Sequence, residues 1–259
     1  INPNLIYLFS SVKILLMTPY FLNKFSDDIN GVIHVGAHLG QEVDDYNNYN
    51  LKKIILFEPQ QNIFNQLLHN TEGMDNVNCF NFGLGSVNEK KTIYKSMEND
   101  GKSSSVLQPE LHLSVQPNIK FDESEEIEIK RFDSLNIEAL DLLTIDVQGL
   151  ELEVIKGFGN KLNSVKYIFS EINTKYLYKN NALVSDIDSY LSEFGFERIY
   201  TNIDPFKYYG DALYIQKTNK NYKKSTIKQQ TNKIVISNLY LNLKKIFYPK
   251  KFIKTIFKI

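Results

Sequence analysis

The chain has 259 residues, of which 42% are apolar and 23% are charged, with 30 basic and 30 acidic side chains and therefore no formal net charge. This length and composition fit one large α/β domain or two small ones, and they exclude a disordered or fibrous protein. A single cysteine, Cys79, cannot form an internal disulfide, which excludes a disulfide-stapled secreted scaffold and favours a reducing, cytoplasmic compartment.

The N-terminal stretch Leu5–Phe25 is apolar and predicts a helix that covers an edge of a sheet. Lys13 interrupts its apolar run, so the run falls short of the roughly 20 residues that a membrane-spanning helix needs. We assign residues 1–29 to this N-terminal helical cover.

From residue 30 onward, short apolar runs alternate with helical patterns. The predicted main strands are Gly31–Val35, Lys53–Phe57, Val77–Phe82, Leu142–Val147, Tyr167–Glu171, Phe196–Tyr200 and Ala212–Gln216. Half-exposed strands are predicted at Thr92–Lys95 and Glu125–Phe132, and helices at Asn62–His69, Glu151–Lys156 and Val184–Phe194 with Gly195 as C-cap. This alternation predicts a mostly parallel sheet with helices on both faces, whose ligands bind at the carboxyl ends of the strands.

The first of these strand ends carries glycines. Gly36 and Gly40 permit a sharp turn and a close approach of the backbone to a ligand. The helix that follows would present free N–H groups to an anionic ligand group. A Gly-x-Gly-x-x-Gly fingerprint and a Walker loop are both absent, which disfavours NAD and nucleoside triphosphates. Taken alone, the pattern is equally consistent with a plain strand-to-helix turn.

Glu58 ends the next predicted strand, about 20 residues after the glycines, the spacing at which a carboxylate accepts hydrogen bonds from a ribose diol. The alternative is a carboxylate at a helix N-terminus beside Pro59. The glycines and Glu58 together predict a nucleoside ligand.

Two further carboxylates, Asp146 and Glu171, lie at the ends of apolar strands that we expect to be neighbours. A carboxylate in such a place must face a polar pocket or remain unsatisfied, so both are expected to open into one cleft. The pair could act as a general base, bind a cationic centre or hold a divalent ion. Asn173 would complete three oxygen ligands for Mg²⁺ or Ca²⁺, but we favour direct cofactor binding without a metal.

The order of the segments VGAHLG, FEP, GLGS, GKSSSV, RFDSL, LLTIDVQGLELEVIKG and SEIN resembles the FkbM-type family of S-adenosylmethionine-dependent methyltransferases. The resemblance covers roughly residues 30–216, and the segment Leu143–Gly157 is its most diagnostic part. It implies a Rossmann-like class I methyltransferase fold, with a seven-stranded, mostly parallel sheet and an antiparallel final strand. It also implies methyl transfer, usually to a hydroxyl group.

The resemblance implies S-adenosyl-L-methionine as the cofactor. The residues that it places around this cofactor are Gly36, Ala37, His38, Gly40, Glu58, Pro59, Phe82, Gly83 and Asp146. The glycines and Ala37 would lie under the methionine part, Glu58 at the ribose hydroxyls, and Phe82 with Gly83 near the adenine. Asp146 would face the cofactor amine and the transferred methyl group. Ser103, Ser104, Ser105 and Asp133 match family positions without an assigned role.

A substrate alcohol must lose its proton as the new bond forms. Asp146, Glu171 and His38 are the candidate acceptors of that proton, and the sequence does not decide among them. His38 departs from the Asn that the family usually has in this loop, and its alternative role is that of a partly exposed histidine at a helix start.

The segment between Ser86 and Phe132, here called the insertion, is long for a loop. Gly101, Pro109 and Pro117 interrupt regular structure within it. Long loops over a strand-end cleft commonly act as lids or carry specificity, so we expect the insertion to cover the acceptor. The alternative is a disordered excursion.

The C-terminal part of the chain is strongly basic. All 30 acidic residues lie at or before Asp211, whereas 12 lysines follow it, so the first 211 residues carry −12 and the last 48 carry +12. The polar stretch Lys217–Lys228 marks a linker between a methyltransferase domain at 30–217 and a basic extension at 218–259. Residues 234–259 are basic and amphipathic, which suits peripheral contact with an anionic membrane or packing on the acidic body.

These observations predict an enzyme that methylates a hydroxyl of a sugar, glycan or other small molecule. The acidic body argues against nucleic acid as a partner. Two alternatives remain open, namely an RNA methyltransferase anchored by the basic extension and a non-catalytic binding module with the same fold. The acceptor and the oligomeric state are not determined by the sequence.

Overall fold

The computed structural model describes residues 17–96, 100–204 and 207–223. Its main sheet has seven strands: β1 (Gly31–Val35), β2 (Lys53–Phe57), β3 (Val77–Phe80), β7 (Leu142–Ile145), β8 (Tyr167–Asn173), β9 (Phe196–Ile203) and β10 (Tyr209–Gln216). Their spatial order is β3-β2-β1-β7-β8-β10-β9, and β10 runs antiparallel to both of its neighbours. The remaining neighbours pair in parallel. The predicted seven-stranded methyltransferase sheet is therefore confirmed, and the chain reverses its direction of travel across the sheet between β1 and β7, which creates the switch point where ligands bind.

The described part of the chain has six α-helices, of which the first precedes β1 and the fourth lies in the insertion. They are α1 (Met17–Phe25), α2 (Val43–Asn48), α3 (Gln61–Asn70), α4 (His112–Val115), α5 (Glu151–Gly157) and α6 (Val184–Glu193). The predicted helices Asn62–His69, Glu151–Lys156 and Val184–Phe194 correspond to α3, α5 and α6, whereas α4 was not predicted. In α6 the apolar Ile187 and Leu191, four residues apart, are fully buried, as the helical spacing predicts. The Asp186 carboxylate accepts the Leu183 N–H at 2.8 Å to begin the helix, and Gly195 ends it with a φ of +77°.

The core lies between the main sheet and its helices. Every residue of β1 is buried, and β7 is buried along its whole length. Strands covered on both faces have no polar side, which is why they appear in the sequence as continuous apolar runs rather than as alternating ones.

A second, three-stranded sheet is built from β4 (Gly83–Leu84), β5 (Glu89–Lys95) and β6 (Glu123–Lys130), in the order β4-β6-β5. The predicted strand Val77–Phe82 is therefore too long, because β3 ends at Phe80 and the chain passes into this second sheet at Gly83. The two predicted half-exposed strands correspond to β5 and β6, which pair with each other in antiparallel fashion, although β5 begins earlier at Glu89 and β6 ends at Lys130 rather than Phe132. In its described part the insertion is therefore ordered structure, and the alternative of a disordered excursion is wrong there.

Helix α1 packs on a face of the main sheet rather than on its edge. The Phe21 ring stacks on Phe169 with centroids 5.1 Å apart, and Phe25 contacts Tyr167 at the same separation. Both partners belong to β8, an interior strand. The prediction that this segment covers an edge of the sheet is therefore wrong for the described helix; residues 1–16 lie outside the described residues.

The chain divides into two compact units, Ile1–Lys217 and Thr218–Ile259. Of the second unit the structure describes residues 218–223, so the predicted amphipathic segment 234–259 lies outside the described residues. Its contact with a membrane stays a prediction. Among the described helices, none combines the length and the apolar character needed to cross a bilayer.

Candidate functional site

A cleft of about 770 Å³ opens at the carboxyl ends of β1, β2, β7 and β8. Gly36, Glu58, Asp146 and Glu171, one from each of the four strand ends singled out by the sequence, all line it. They meet because the carboxyl ends of parallel strands lie at one edge of a sheet. A separate cavity of about 460 Å³, beside Glu153 on α5, contains none of these four residues.

Gly36 forms the floor of the cleft at the end of β1. Its φ is +81°, and a β-carbon at this position would overlap the carbonyl oxygen of Asp146. The same two strand ends are joined by the Asp146 N–H, which donates to the Val35 carbonyl at 3.0 Å. Gly36 and Ala37 donate their own N–H groups to the Phe57 carbonyl at 2.9 and 3.0 Å, so these N–H groups are already bonded. Gly36 is therefore important because it has no side chain.

Gly40 does not line the cleft, which corrects its expected place under the cofactor. It has a φ of +77°, and a β-carbon there would lie 2.8 Å from the Leu67 side chain on α3. Gly40 therefore shapes the turn and lets it pack against α3.

Glu58 is 3% exposed and is held in place by backbone donors. Its Oε2 accepts the His38 N–H at 3.1 Å and its Oε1 accepts the Gln60 N–H at 2.8 Å. Gln60 Nε2 donates a third, longer bond to Oε1 at 3.4 Å. A carboxylate offers about four acceptor positions, so one remains for a hydroxyl group, and displacing the long Gln60 bond opens a second. Burial raises the pKa of Glu58 to about 7, although the hydrogen bonds from Gln60 and His38 act in the opposite direction. Pro59 lines the cleft beside it.

Phe82 does not line the cleft, which corrects its expected place near the adenine. The Phe82 ring packs 5.4 Å from Phe57 and 5.8 Å from Phe80, and the Lys130 ammonium lies over it at 4.3 Å. Phe82 faces the core because the chain has already left the main sheet after Phe80. The cleft wall at this position is made instead by residues of the second sheet, namely Gly83, Leu84, Ile93, Ile127 and Ile129.

His38 lines the cleft, but both of its ring nitrogens are engaged by the protein. Nδ1 accepts from Gln41 Nε2 at 2.9 Å, so Nε2 carries the proton and donates to the Asp100 carbonyl at 2.6 Å. In this arrangement neither nitrogen is free to take a proton from an acceptor. His38 instead fastens the insertion to the turn that follows β1.

Asp146 and Glu171, predicted to open into one cleft, are joined by a single amide. Nε2 of Gln148 donates to Asp146 Oδ1 at 2.8 Å and to Glu171 Oε2 at 2.9 Å. Its Oε1 accepts from the Tyr178 hydroxyl at 2.9 Å. Gln148 has a φ of +55°, a conformation unusual for a residue with a side chain, and it directly precedes Gly149 at +107°.

The carboxylates around the Gln148 amide have raised pKa values. Burial raises the pKa of Glu171 well above its usual range, and the charges of Asp146, Glu151 and Asp211 add to that effect. Asp146 faces the open cleft yet is surrounded by protein, and burial raises its pKa as well. Burial first, and then the charge of Asp146, raise the pKa of Asp211 to about 7.

Glu151 lies beneath the cleft with no exposed surface. Its Oε1 accepts the Gly149 N–H at 2.9 Å, whereas its Oε2 has no hydrogen-bond partner among the described residues. Burial raises its pKa to about 7. In the described part of the chain, no lysine or arginine forms an ion pair with Glu151, Asp146, Glu171 or Asp211. This end of the cleft therefore favours a proton or a cationic ligand.

Three serines of the insertion, Ser103, Ser104 and Ser105, are buried and line the cleft. The Ser105 hydroxyl donates to the Gln148 carbonyl at 2.7 Å, which ties the insertion to the loop after β7. Asp133, by contrast, bonds Arg131 at 2.9 Å and does not line the cleft. Its role is to hold local structure.

Sequence reasoning missed several lining residues, among them Gln148, Tyr178 and His34. Gln148 had a detectable signal, since it lies two residues after a strand-ending aspartate and just before a turn glycine. His34 on β1 gives no such signal; burial lowers its pKa to about 4, so the imidazole is neutral, and its Nδ1 bonds the Tyr46 hydroxyl at 3.1 Å. Within the described ranges, no three His, Cys, Asp or Glu side chains are placed to hold a metal ion.

Comparison with known proteins gives consistent results. A family model described as the methyltransferase FkbM domain matches residues 34–198. The 2-O-methyltransferase NoeI of Sinorhizobium fredii (strain NBRC 101917 / NGR234) is 26% identical over 158 residues, which cover 57% of this chain and 65% of that protein. The crystal structure of an FkbM methyltransferase from Methylobacillus flagellatus KT aligns with a TM-score of 0.50 and 13% identity, over 73% of this chain and 44% of that one. This chain thus spans less than two thirds of either relative, and the structural likeness shows the fold alone.

Proposed function

This chain belongs to the FkbM methyltransferase family, and on that premise we propose that it uses S-adenosylmethionine to methylate a hydroxyl group of a sugar, glycan or other small molecule. The observation that carries the proposal is the convergence of Gly36, Glu58 and the Asp146–Glu171 pair on one cleft. The proposal concerns the part of the family's proteins that this chain spans.

The residues of the cleft fit this cofactor. Glu58 has one acceptor position left for a ribose hydroxyl and a second if the long Gln60 bond is displaced. Gly36, where a β-carbon would overlap the Asp146 carbonyl, lines the cleft without a side chain. Asp146 and Glu171, which lack a cationic partner among the described residues, suit the positive charges of the amine and the sulfonium. When bound, S-adenosylmethionine supplies a methyl group that its sulfonium makes strongly electrophilic.

The protein therefore contributes orientation and proton transfer. Holding two reacting groups in line can contribute on the order of 7–11 kcal/mol. Asp146 and Glu171 share the Gln148 amide, and the charge of Asp146 raises the pKa of Glu171, which favours a proton on Glu171 and leaves the other carboxylate free. That carboxylate is our candidate to take the acceptor's proton, a step typically contributing about 10²–10⁴-fold in rate. The insertion, closed over the cleft through Ser105 and His38, limits the access of water.

The charged residues that line the cleft favour a small, uncharged acceptor over RNA. The acidic residues that line the cleft are Glu42, Asp45, Glu58, Asp146, Glu171, Asp204 and Asp211, and the basic ones among the described residues are Lys102 and Lys207. Such a lining repels phosphate groups, since like charges brought together oppose binding. The similarity to a protein named a 2-O-methyltransferase, at 26% identity, supports a hydroxyl as the methylated group.

Methyl transfer from isotope-labelled S-adenosylmethionine tests the proposal. The purified protein is incubated with neutral glycosides, glycan fractions and total RNA, and products are identified by mass spectrometry. We expect label in a carbohydrate or another small molecule, and its loss in the Asp146→Asn variant. Label in RNA alone would contradict the acceptor class, and cofactor binding without any labelled product would favour a non-catalytic module.

A further inference from the structure

Three side chains that line the cleft have buried polar atoms without partners among the described residues; one is Gln60 beside Glu58, and the other two are His112 and Asn173. His112 on α4 is 2% exposed, and neither of its ring nitrogens has a hydrogen-bond partner among the described residues. Asn173 at the end of β8 is 1% exposed, and its Nδ2 is likewise unpartnered there. Both residues line the cleft. Buried polar groups are nearly always hydrogen-bonded, so two unpartnered ones on a single cleft point to a ligand that completes them.

The backbone holds His112 firmly at this position. The N–H groups of Glu110 and His112 both donate to the Leu177 carbonyl, at 2.9 and 3.0 Å, and the Lys179 N–H donates to the Gln108 carbonyl at 2.8 Å. The imidazole packs against Tyr178 and Phe121, with ring centroids 5.2 and 5.4 Å away. The insertion is thus docked on the loop after β8, and the placement of His112 does not depend on its own ring nitrogens.

Asn173 lies next to the carboxylate pair, and a chain of contacts links His112 to it. Asn173 follows Glu171 by two residues on β8, so the two side chains leave the strand on the same face, about 7 Å apart. His112 reaches the pair through Tyr178, whose ring it contacts and whose hydroxyl bonds Gln148. The region between His112 and Asn173 is therefore continuous with the site where we place proton transfer.

We propose that His112 and Asn173 form the acceptor subsite of the cleft and bind hydroxyl groups of a neutral, polyhydroxylated acceptor beside the one that is methylated. This inference rests on the proposed function. A neutral imidazole offers one donor and one acceptor, and an amide nitrogen offers two donors, a set that matches the hydroxyls of a sugar. Neither group neutralises a phosphate or carboxylate, and the surrounding acids repel both. The subsite therefore selects an uncharged sugar or glycan.

Two variants that keep the packing test this subsite. His112→Phe retains a ring against Tyr178 and Phe121 but has no nitrogen, and Asn173→Leu has a similar shape without an amide. Leu113→Ala is the matched control, because Leu113 neighbours His112 on α4 and is 47% exposed. The probes are the methyl glycosides of neutral hexoses, assayed with labelled S-adenosylmethionine. Acceptor KM and kcat, the Kd of S-adenosylhomocysteine and the melting temperature are measured for each protein.

We expect both variants to raise the acceptor KM at least about tenfold, while the Kd of S-adenosylhomocysteine stays within about twofold of the wild-type value. Their melting temperatures should not fall, since the replaced groups have no partners to lose. His112→Gln, which keeps a donor and an acceptor, should recover part of the KM loss. Leu113→Ala should behave as the wild type.

If the wild type methylates a glycoside and both variants keep its KM, the subsite is wrong while the proposed function stands. If cofactor affinity falls together with acceptor affinity, the residues support the cofactor or the fold, and the inference is also wrong. If the wild type methylates none of the glycosides, the proposed sugar acceptor fails, and the subsite fails with it.

Discussion

Nε2 of His38 donates a hydrogen bond of 2.6 Å to the carbonyl oxygen of Asp100. The backbone N–H of the same histidine donates to Glu58, the carboxylate proposed to hold the ribose. One residue therefore contacts both the insertion that lines the cleft and the group proposed to anchor the cofactor. Ordering of the insertion and binding of the cofactor are expected to be coupled through it.

The His38→Ala variant tests this coupling. Loss of the ring removes the bond to Asp100, so the insertion should open more often, and the Kd of S-adenosylhomocysteine should rise about threefold to tenfold. Amide hydrogen exchange over residues 100–116, with and without S-adenosylhomocysteine, measures the opening. His69→Ala is the control, because the His69 side chain is 83% exposed. Equal exchange in wild type and His38→Ala would show that the tether has no effect.

Because Gly36 lies against the Asp146 carbonyl, any side chain at this position should lower the free energy of unfolding considerably. Gly36→Ala introduces a β-carbon into that oxygen at a φ of +81°, and we expect a loss of about 3 kcal/mol in the free energy of unfolding. Gly73→Ala is a close match, since Gly73 has a φ of +78° but nothing within 4 Å of its added β-carbon. Gly73→Ala should lower the free energy of unfolding by about 1 kcal/mol. Urea unfolding compares the two, and equal costs would mean that Gly36 is needed only for its backbone angle.

The raised pKa of Glu58 predicts that cofactor binding depends on pH. In the protein without cofactor, the Glu58 carboxyl has a pKa of about 7. Hydrogen bonds from ribose hydroxyls favour its ionised form, so binding of the cofactor releases a proton. The affinity is therefore highest above pH 7 and falls as the pH drops below it. Between about pH 7.5 and pH 5.5 the Kd of S-adenosylhomocysteine should rise about tenfold.

Calorimetry on the Glu58→Gln variant isolates this contribution. Glutamine cannot ionise, so this part of the pH dependence should disappear and the affinity should be low at every pH. An identical slope in both proteins would assign the proton to another carboxyl of the cleft, such as Asp211.

The buried Glu151 predicts a pH dependence of stability. Its pKa is about 7 in the folded protein against an ordinary value of 4.5, so the folded state holds the proton more tightly than the unfolded chain. The free energy of unfolding should therefore fall by about 3 kcal/mol in total as the pH rises from about 4.5 through 7. Glu151→Gln is neutral at every pH and keeps an oxygen for the Gly149 N–H.

The Glu151→Gln variant should therefore melt at a higher temperature than the wild type at pH 8 and at nearly the same temperature at pH 5. Glu72→Gln serves as the control, because the Glu72 side chain is 81% exposed. Parallel melting curves of wild type and Glu151→Gln across this pH range would be inconsistent with a perturbed Glu151.

The strands and the positions of Glu58, Asp146 and Glu171 could be predicted because they follow from apolar runs and from the parallel order of the sheet. The orientation of the Phe82 side chain could not be predicted, since it depends on the passage of the chain from the main sheet to the second sheet after Phe80. Gln148 reaches both carboxylates through a positive φ that no propensity scale gives for glutamine. His112 meets the cleft through long-range docking of the insertion on Leu177, which sequence periodicity does not encode.

Titration calorimetry of S-adenosylhomocysteine into the wild type and Glu58→Ala tests the cofactor site most directly. We expect one molecule bound per chain in the wild type, and at least about tenfold weaker binding in Glu58→Ala, which should still unfold cooperatively although the His38 and Gln60 N–H groups lose their acceptor. No binding to the wild type, or equal affinity in the two proteins, would contradict a cofactor held between Gly36 and Glu58.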